Sequence, residues 1–485
     1  MSKQHLSFIL TLAACLGLSA CGGSDEPSPG GGGDSGGTTP STGVDITIDN
    51  TNPVSISNRV IYEMNVGSFT SAGTFKAAQD KLSELKTLGV DIVWLMPVYP
   101  RGGGINSPYA ATDFQATNPN YGTISDLKNL VARAHQLNMQ VWLDWVPNHT
   151  ATNARWVAEH PEYYKKQGGA MVHPMGWDDV YQLDYGNTGL QAAMTGALKF
   201  WIDNADVDGF RCDFVSSNEI PTQYWQTAIP EVKSHKSGKT IFFLAEADIV
   251  QDVTRLRNVG FDYDYAWNFQ ESQLATFGPS GTSGDNLKTR CENFVTSSKN
   301  ASVARMVYLT NHDIAYNDGG KTLISLYGGN RYPLTVLEFT LYGMPLLYNG
   351  QEIGCAQMLN YFEDEKINWN SSDAKMKNTV RTLIALRHTQ AALADRVEPY
   401  FHTSDNPGVL AYTKTSGNSR VLVVMNLSAQ AVNVKLNGVS AGNYVKWLNS
   451  QTIASGVATK VQSESLSSSP TLSLEAKGYA VYVKQ

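Results

Sequence analysis

Eight short apolar runs recur between residues 58 and 349, and stretches of helical period separate them. The runs are Val60–Met64, Ile92–Met96, Val141–Leu143, Gly209–Asp213, Ile241–Glu246, Tyr263–Trp267, Met306–Thr310 and Pro345–Asn349. Continuous apolar runs of this length suit parallel strands buried on both faces. Between them, Thr74–Leu88 places Phe75, Ala78, Leu82 and Leu85 on one helical face. Ser125 is placed to cap the next helix, with Leu127, Leu130, Val131, Ala134 and Leu137 as its face. Leu190, Ala193, Met194, Ala197, Leu198, Trp201 and Ile202 draw another clean face, and Met376–Arg387 reads as the last helix. Eight strand–helix units predict an α/β chain folded as a (β/α)8 barrel. A doubly wound sheet is the structural alternative that strand counting leaves open.

The rhythm breaks at residues 150–187, which read as a small inserted domain after the third strand. Beyond residue 398 the period changes to alternation, as in Val421–Asn426 and Gly478–Val483, predicting a C-terminal antiparallel β-sandwich domain. The expected division is therefore 44–149 and 188–397 for the barrel, 150–187 for the insertion and 398–485 for the β domain.

The chain has 485 residues, 42 % apolar and 17 % charged, which excludes a mostly disordered protein. Its net charge of −7 argues against a nucleic-acid binder. The 10 Trp and 23 Tyr suit sugar faces but equally fill cores.

The first residues read as an address. Lys3 and His5 precede an apolar run, Leu6–Leu18, that is too short to span a membrane, which takes roughly 20 residues. Leu18-Ser19-Ala20-Cys21 resembles the bacterial lipoprotein cleavage box, which implies a signal peptide at 1–20 and a lipid on Cys21. Residues 21–43 form a Gly, Ser and Pro-rich tether. Asp25-Glu26 resembles a Bacteroidetes surface-export signal, or is simply a solvated pair. The expectation is export and lipid anchoring at the outer membrane, with cell-surface display left open. Cys212, Cys291 and Cys355 are scattered and odd in number, so they read as buried apolar side chains rather than disulfides.

In such a barrel, chemistry sits where strands end at the C-terminal face. Four apolar runs end at or just before carboxylates: Asp144 with Asn148-His149, Arg211-Cys212-Asp213, Glu246, and Asn311-His312-Asp313. Helix caps alone would not explain four such endings. With a strand period of two, Arg211 and Asp213 face the same way, and Cys212 faces outward to the helices.

Together these stretches resemble the four sequence regions of the α-amylase family, glycoside hydrolase family 13, in order and spacing. Gly89–Pro97 and Gly343–Glu352 resemble its second and eighth strands. The resemblance implies Asp213 as nucleophile, Glu246 as general acid and base, and Asp313 as the third carboxylate, which holds ring hydroxyls. It implies that Arg211 keeps Asp213 ionised, that His149 and His312 hydrogen-bond the sugar, and that Tyr109 stacks on it. Asp144 is read as an organiser of the third strand's end. Trp145, Trp177, Tyr163 and Tyr164 are weaker platform candidates, for which core packing is an equal reading. The implied partner is an α-glucan, with a monomer expected and no organic cofactor.

Two departures matter. Ser216 and Ser217 stand where many α-amylases carry Lys-His. Asn148 matches a calcium ligand of the family, but Gln182 stands where an Asp ligand is common. Calcium favours charged oxygen ligands, so a Ca2+ cofactor is an open expectation. Endo-acting hydrolysis of starch or maltodextrins leads. Neopullulanase, cyclomaltodextrinase or α-glucosidase action on shorter α-glucans is the alternative, and a non-catalytic glycan-binding protein is the remote one.

Overall fold

A computed structural model describes residues 44–48, 52–317, 320–450, 458–461 and 463–485. The signal, the lipid-anchor motif and the tether lie outside these residues. Among the described residues no helix is long and apolar enough to cross a membrane.

The eight runs form a closed parallel barrel: β1 (Ile61–Met64), β2 (Ile92–Leu95), β3 (Gln140–Trp145), β4 (Gly209–Cys212), β5 (Phe242–Ala245), β6 (Tyr263–Tyr265), β7 (Ala304–Tyr308) and β8 (Met344–Tyr348). Alternation along each strand divides the side chains into two cores. Ile61, Ile92, Trp94, Trp142, Leu244, Tyr265, Met306 and Leu346 fill the barrel interior. Tyr62, Val93, Leu143, Phe210, Cys212 and Phe243 face the helices. The outward reading of Cys212 therefore matches its position.

Gly209 shows how the interior closes. It lies in register between Trp142 and Phe242, whose rings stack at 5.7 Å. A Cβ at Gly209 would come within 2.9 Å of the Trp142 ring and 2.7 Å of the Phe242 carbonyl. Only glycine leaves room for that stack across β4.

The helices include α1 (Phe75–Leu88), α2 (Ile124–Gln136), α3 (Thr188–Ala205), α4 (Thr222–Lys233), α5 (Gly284–Ser298), α6 (Arg331–Thr340) and α7 (Ala374–Thr389). The α1 helix stops at Gly89, whose φ of 105° is the left-handed conformation that ends helices. Thr123, not Ser125, caps α2: its hydroxyl accepts from the Asp126 N–H, and Asp126 reaches back to the Thr123 N–H. This reciprocal box satisfies two helix-end donors at once, which a Ser at the second helical residue cannot do. Between β5 and β6 the expected helix is replaced by a three-residue turn, Thr254–Leu256.

Residues 150–187 form an excursion whose ends pair antiparallel, His149–Ala151 with Val180–Gln182. It carries a small hairpin, Lys166–Gln167 with Ala170–Met171. The C-terminal region has a six-stranded antiparallel sheet facing a three-stranded one. Val409, Leu422, Val424, Leu436, Leu472 and Ala480 fill the space between them. The opposite face of the large sheet, with Leu410, Tyr412, Val423, Met425 and Val481, joins the barrel's helix-side core. Burial on both faces explains why Val409–Lys414 is buried throughout instead of alternating.

Residues 44–48, assigned to the barrel from sequence, pair elsewhere. Val44–Thr47 runs antiparallel to Ala458–Val461, and Ile46 and Ile48 pack against Val445 and Val461. Those apolar side chains find their cover on the C-terminal sheet.

Candidate active site

The C-terminal ends of the barrel strands open into a cleft of about 530 Å³. Asp213, Glu246, Asp313, Tyr109, His149 and His312 all line it. Arg211 and Asp144 lie directly behind, each fully buried.

Register explains the arrangement. Asp144 on β3 is the in-register neighbour of Arg211 on β4, and both face inward. The Arg211 Nη1 donates to Asp144 Oδ1 at 3.1 Å and to Asp213 Oδ1 at 3.0 Å. Its Nη2 lies 2.6 Å from Glu246 Oε1, and its Nε donates to the Tyr265 hydroxyl at 3.1 Å. The guanidinium carbon also sits 5.0 Å from the Trp94 ring centroid and 5.7 Å from that of Tyr109. One planar cation thus gathers three carboxylates between aromatic walls. Arginine suits this task because its donors form a fixed fork.

Tyr109 is tied on two sides. Its hydroxyl lies 3.1 Å from Asp144 Oδ2 and 2.8 Å from His312 Nε2. The Tyr109 and His312 rings stack at 5.3 Å. His312 Nδ1 is 2.5 Å from Glu63 Oε1, and its Nε2 is 3.5 Å from Asp313 Oδ2. Burial pulls the His312 ring down, but Asp313 and Glu63 outweigh it and hold it up at about 9. The two histidines differ: burial drives His149 down to about 4, against the Tyr109 carbonyl. His312 is thus a cation at neutral pH, and His149 is neutral.

The carboxylates also separate. Burial pushes Glu246 up to about 8, opposed by Arg211 and reinforced by Asp213 and Asp313. Burial pushes Asp213 up to about 6, opposed by Arg211 and reinforced by Asp144. Asp144 is raised to about 6 by burial, with Arg211 and His312 pulling against it. Arg211 therefore lowers Asp213 as expected, but burial wins. The order that results keeps Glu246 protonated where Asp213 is ionised, the split that acid and nucleophile roles need.

The segment after β5 is braced from behind. Arg305 pairs with Asp248 at 2.8 Å and with Asp264 at 2.7 Å. Asp248 in turn accepts from the N–H groups of Gln251 and Asn268.

Several residues in or behind the cleft carried no sequence expectation. Glu63 lies within an apolar run rather than at its end, although it shares the inward parity of Ile61. Phe214, Trp267, Glu271, Tyr361 and Phe362 also line the cleft. Of the four weaker platform candidates, only Trp177 lines the cleft, 44 % exposed and 5.9 Å from Phe214. Trp145 is fully buried against Phe114 and Tyr99. Tyr163 stacks on His160, and Tyr164 bonds Thr150.

The calcium expectation meets a different donor set. Asn148 is fully buried, and its Oδ1 already accepts from the Gln182 amide at 3.1 Å. Among the described residues no group of three or more His, Cys, Asp or Glu is placed to hold a metal. An N–H donor at this point does not fit a hard cation that collects oxygens.

A closed parallel barrel whose strand ends present carboxylates around one buried arginine defines a barrel enzyme of the glycoside hydrolase kind. Residues 46–182 and 175–418 match the alpha amylase catalytic domain, and residues 400–456 match the maltogenic amylase C-terminal domain. The chain belongs to the α-amylase family, glycoside hydrolase family 13. It is 27 % identical to an α-amylase of Haloarcula japonica over 79 % of this chain and 57 % of that protein. It is 26 % identical to a malto-oligosyltrehalose trehalohydrolase of Saccharolobus solfataricus over 70 % of this chain and 64 % of that protein. The chain thus spans about three fifths of the length of these curated relatives. Among solved structures it resembles a Lactobacillus plantarum α-amylase, with TM-score 0.70, 25 % identity, and coverage of 88 % of this chain and 99 % of that one. A noncanonic maltogenic α-amylase of Thermotoga neapolitana shares the fold, with TM-score 0.74, 24 % identity, and coverage of 89 % and 99 %.

Proposed function

We propose that this protein is a retaining, endo-acting α-amylase that cleaves α-1,4-glucosidic bonds in starch or maltodextrins. The observation that carries the reading is the Arg211 guanidinium, which contacts Asp213 and Glu246 through its two terminal nitrogens. That shared contact favours the close spacing of a retaining pair, about 5–5.5 Å between carboxyls. Asp213 attacks the anomeric carbon while Glu246 protonates the departing glycosidic oxygen. Glu246, now ionised, takes a proton from water, which displaces Asp213 from the sugar with net retention. Asp313 and the cationic His312 hold ring hydroxyls, His149 bonds the sugar as a neutral ring, and Tyr109 offers its face. Asp144 acts behind them, holding Arg211 and Tyr109 in place.

Time courses on amylose, pullulan and cyclodextrin, with the product anomer read by proton NMR, test this. Rapid shortening of amylose with α-anomers released is the expected result. Release of glucose alone from chain ends overturns the endo-acting reading.

A second reading, cyclomaltodextrinase-like or maltogenic action on short α-glucans, has its own support. Residues 400–456 match the maltogenic amylase C-terminal domain. The loops at one side of the cleft are also tied together: Arg101 pairs with Asp364 at 2.8 Å and donates to the Phe362 carbonyl at 3.2 Å. Faster turnover of cyclodextrin than of amylose would select this reading. For the address, we propose export and lipid attachment at Cys21, with the enzyme acting as a monomer. Metabolic labelling with palmitate, lost in Cys21→Ser, is the check.

A further inference from the structure

The joint between β3 and the 150–187 excursion is built around one amide. Gln182 Nε2 donates to the Asn148 carbonyl at 2.8 Å, to Asn148 Oδ1 at 3.1 Å and to the Leu183 carbonyl at 3.3 Å. All three partners are acceptors, so the amide must present its NH2 rather than its oxygen. Asn148 is oriented by its other side: its Nδ2 lies 3.1 Å from His149 Nδ1. Gln182 and Asn148 are 3 % and 0 % exposed, so water does not compete for these bonds. His149 and Gln182 are also cross-strand partners, and the Leu183 N–H donates to the Asn148 carbonyl at 3.1 Å. Chain leaving the barrel and chain returning to it therefore meet on this side chain.

Oxygens converging on one point are what a hard cation collects, at roughly 2.3–2.6 Å. Here a neutral N–H donor occupies the middle of such a set. An aspartate at residue 182 would bring a negative oxygen to the same place and leave Asn148 Oδ1 and the Leu183 carbonyl without the donor they now share, while the Asn148 carbonyl keeps the Leu183 N–H. Burial of unpaired acceptors is costly, so that arrangement would call for a cation.

We propose that the Gln182 amide is an internal replacement for a divalent cation. It gathers the Asn148 and Leu183 oxygens, fixes the base of the excursion and sets the His149 ring at the cleft without metal. Gln182 is on this account a positioning residue, acting through Asn148 and His149.

The test uses the full chain. Melting temperature is followed in EDTA and in added CaCl2, with calorimetric titration of Ca2+ alone. The wild type should melt at one temperature in both and show no stoichiometric calcium heat. Gln182→Ala should melt several degrees lower and gain nothing from calcium. Gln182→Asp should melt low in EDTA and recover with calcium, and its His149 imidazole resonances should return with it. A wild type that loses stability in EDTA and regains it with one calcium per chain, through a site abolished by Asn148→Ala, overturns the proposal. So does a folded Gln182→Asp whose melting ignores calcium. If Gln182→Asp does not fold, the wild-type melts and Gln182→Ala decide, and an unaltered Gln182→Ala melt counts against the amide.

Discussion

The backbone N–H of Phe214 donates to Glu246 Oε2 at 2.5 Å. The residue that follows the candidate nucleophile in sequence thus also holds the candidate acid, which lies on the next strand. Phe214 adopts a φ of 44°, a conformation that bulky side chains rarely take. This strained backbone aims its N–H at Glu246, and the Arg211 contact fixes the other Glu246 oxygen. Both oxygens of the acid are therefore located before substrate arrives.

Replacing Asp213 with Asn should abolish starch hydrolysis by several orders of magnitude with the circular dichroism spectrum unchanged. Glu246→Gln should cost about 10²–10⁴-fold, the usual reach of general acid–base catalysis. On an aryl maltoside with an acidic leaving group the first step needs little protonation. Bond cleavage should then recover in Glu246→Gln, as a burst of aryl alcohol, and not in Asp213→Asn. Equal recovery in both would show that the roles are misassigned.

The pH profile of kcat/KM should be a bell. Asp213 must be ionised, so activity should fall as pH drops through about 6. Glu246 must carry its proton, so activity should fall as pH rises through about 8. In Glu246→Gln the alkaline limb should vanish from the residual activity, and a limb that persists would assign it elsewhere.

Arg211→Lys keeps a positive charge but loses the fork. A single ammonium cannot meet Asp144, Asp213 and Glu246 as the guanidinium does. We expect kcat to fall about 100-fold or more, with KM changed far less. Asp213 would also lose part of the pull that lowers it, moving the acid limb to higher pH. A change confined to KM would make Arg211 a substrate-binding group instead.

Glu63 should govern His312. His312 is raised to about 9 in the folded chain against 6.5 for a free imidazole. Stability from the raised pKa is fully present below about pH 6.5 and is lost as pH rises through about 9. Glu63→Gln should lower the His312 titration and cost on the order of 3 kcal/mol at pH 6. Imidazole NMR and thermal melts across pH 6 to 10 would show it. An unmoved His312 titration would show that Asp313 and Asp144 hold the ring's charge without Glu63.

Much of this was readable in the chain. The strand ends carrying Asp144, Asp213, Glu246 and Asp313 combine two local signals, an apolar run and a polar stop, and both survive folding. Asp126, three residues after Thr123, marks the capping box, although the buried apolar face of the helix begins only at Leu127. Glu63 stands inside its apolar run instead of at a strand end, so only its parity with Ile61 points it inward. Tyr361 and Phe362 follow no period: their place is set by Arg101 and Asp364, 263 residues apart in the chain. Gln182 was visible as a departure, but its three acceptors meet only in three dimensions.

The central strands of the large C-terminal sheet, Val409–Lys414, Val421–Asn426 and Tyr479–Tyr482, are covered on both faces. One side packs on its partner sheet, and the other meets the barrel helices, where Tyr412 bonds Thr340 at 2.5 Å and Tyr479 bonds Thr379 at 3.0 Å. Thr340 ends α6 and Thr379 lies in α7, both flanking β8. Cutting the chain at residue 398 would strip the cover from those helices. What sequence matching divides into two modules should therefore melt as one cooperative unit, and grafting the barrel alone onto another partner would carry an uncovered apolar flank with it.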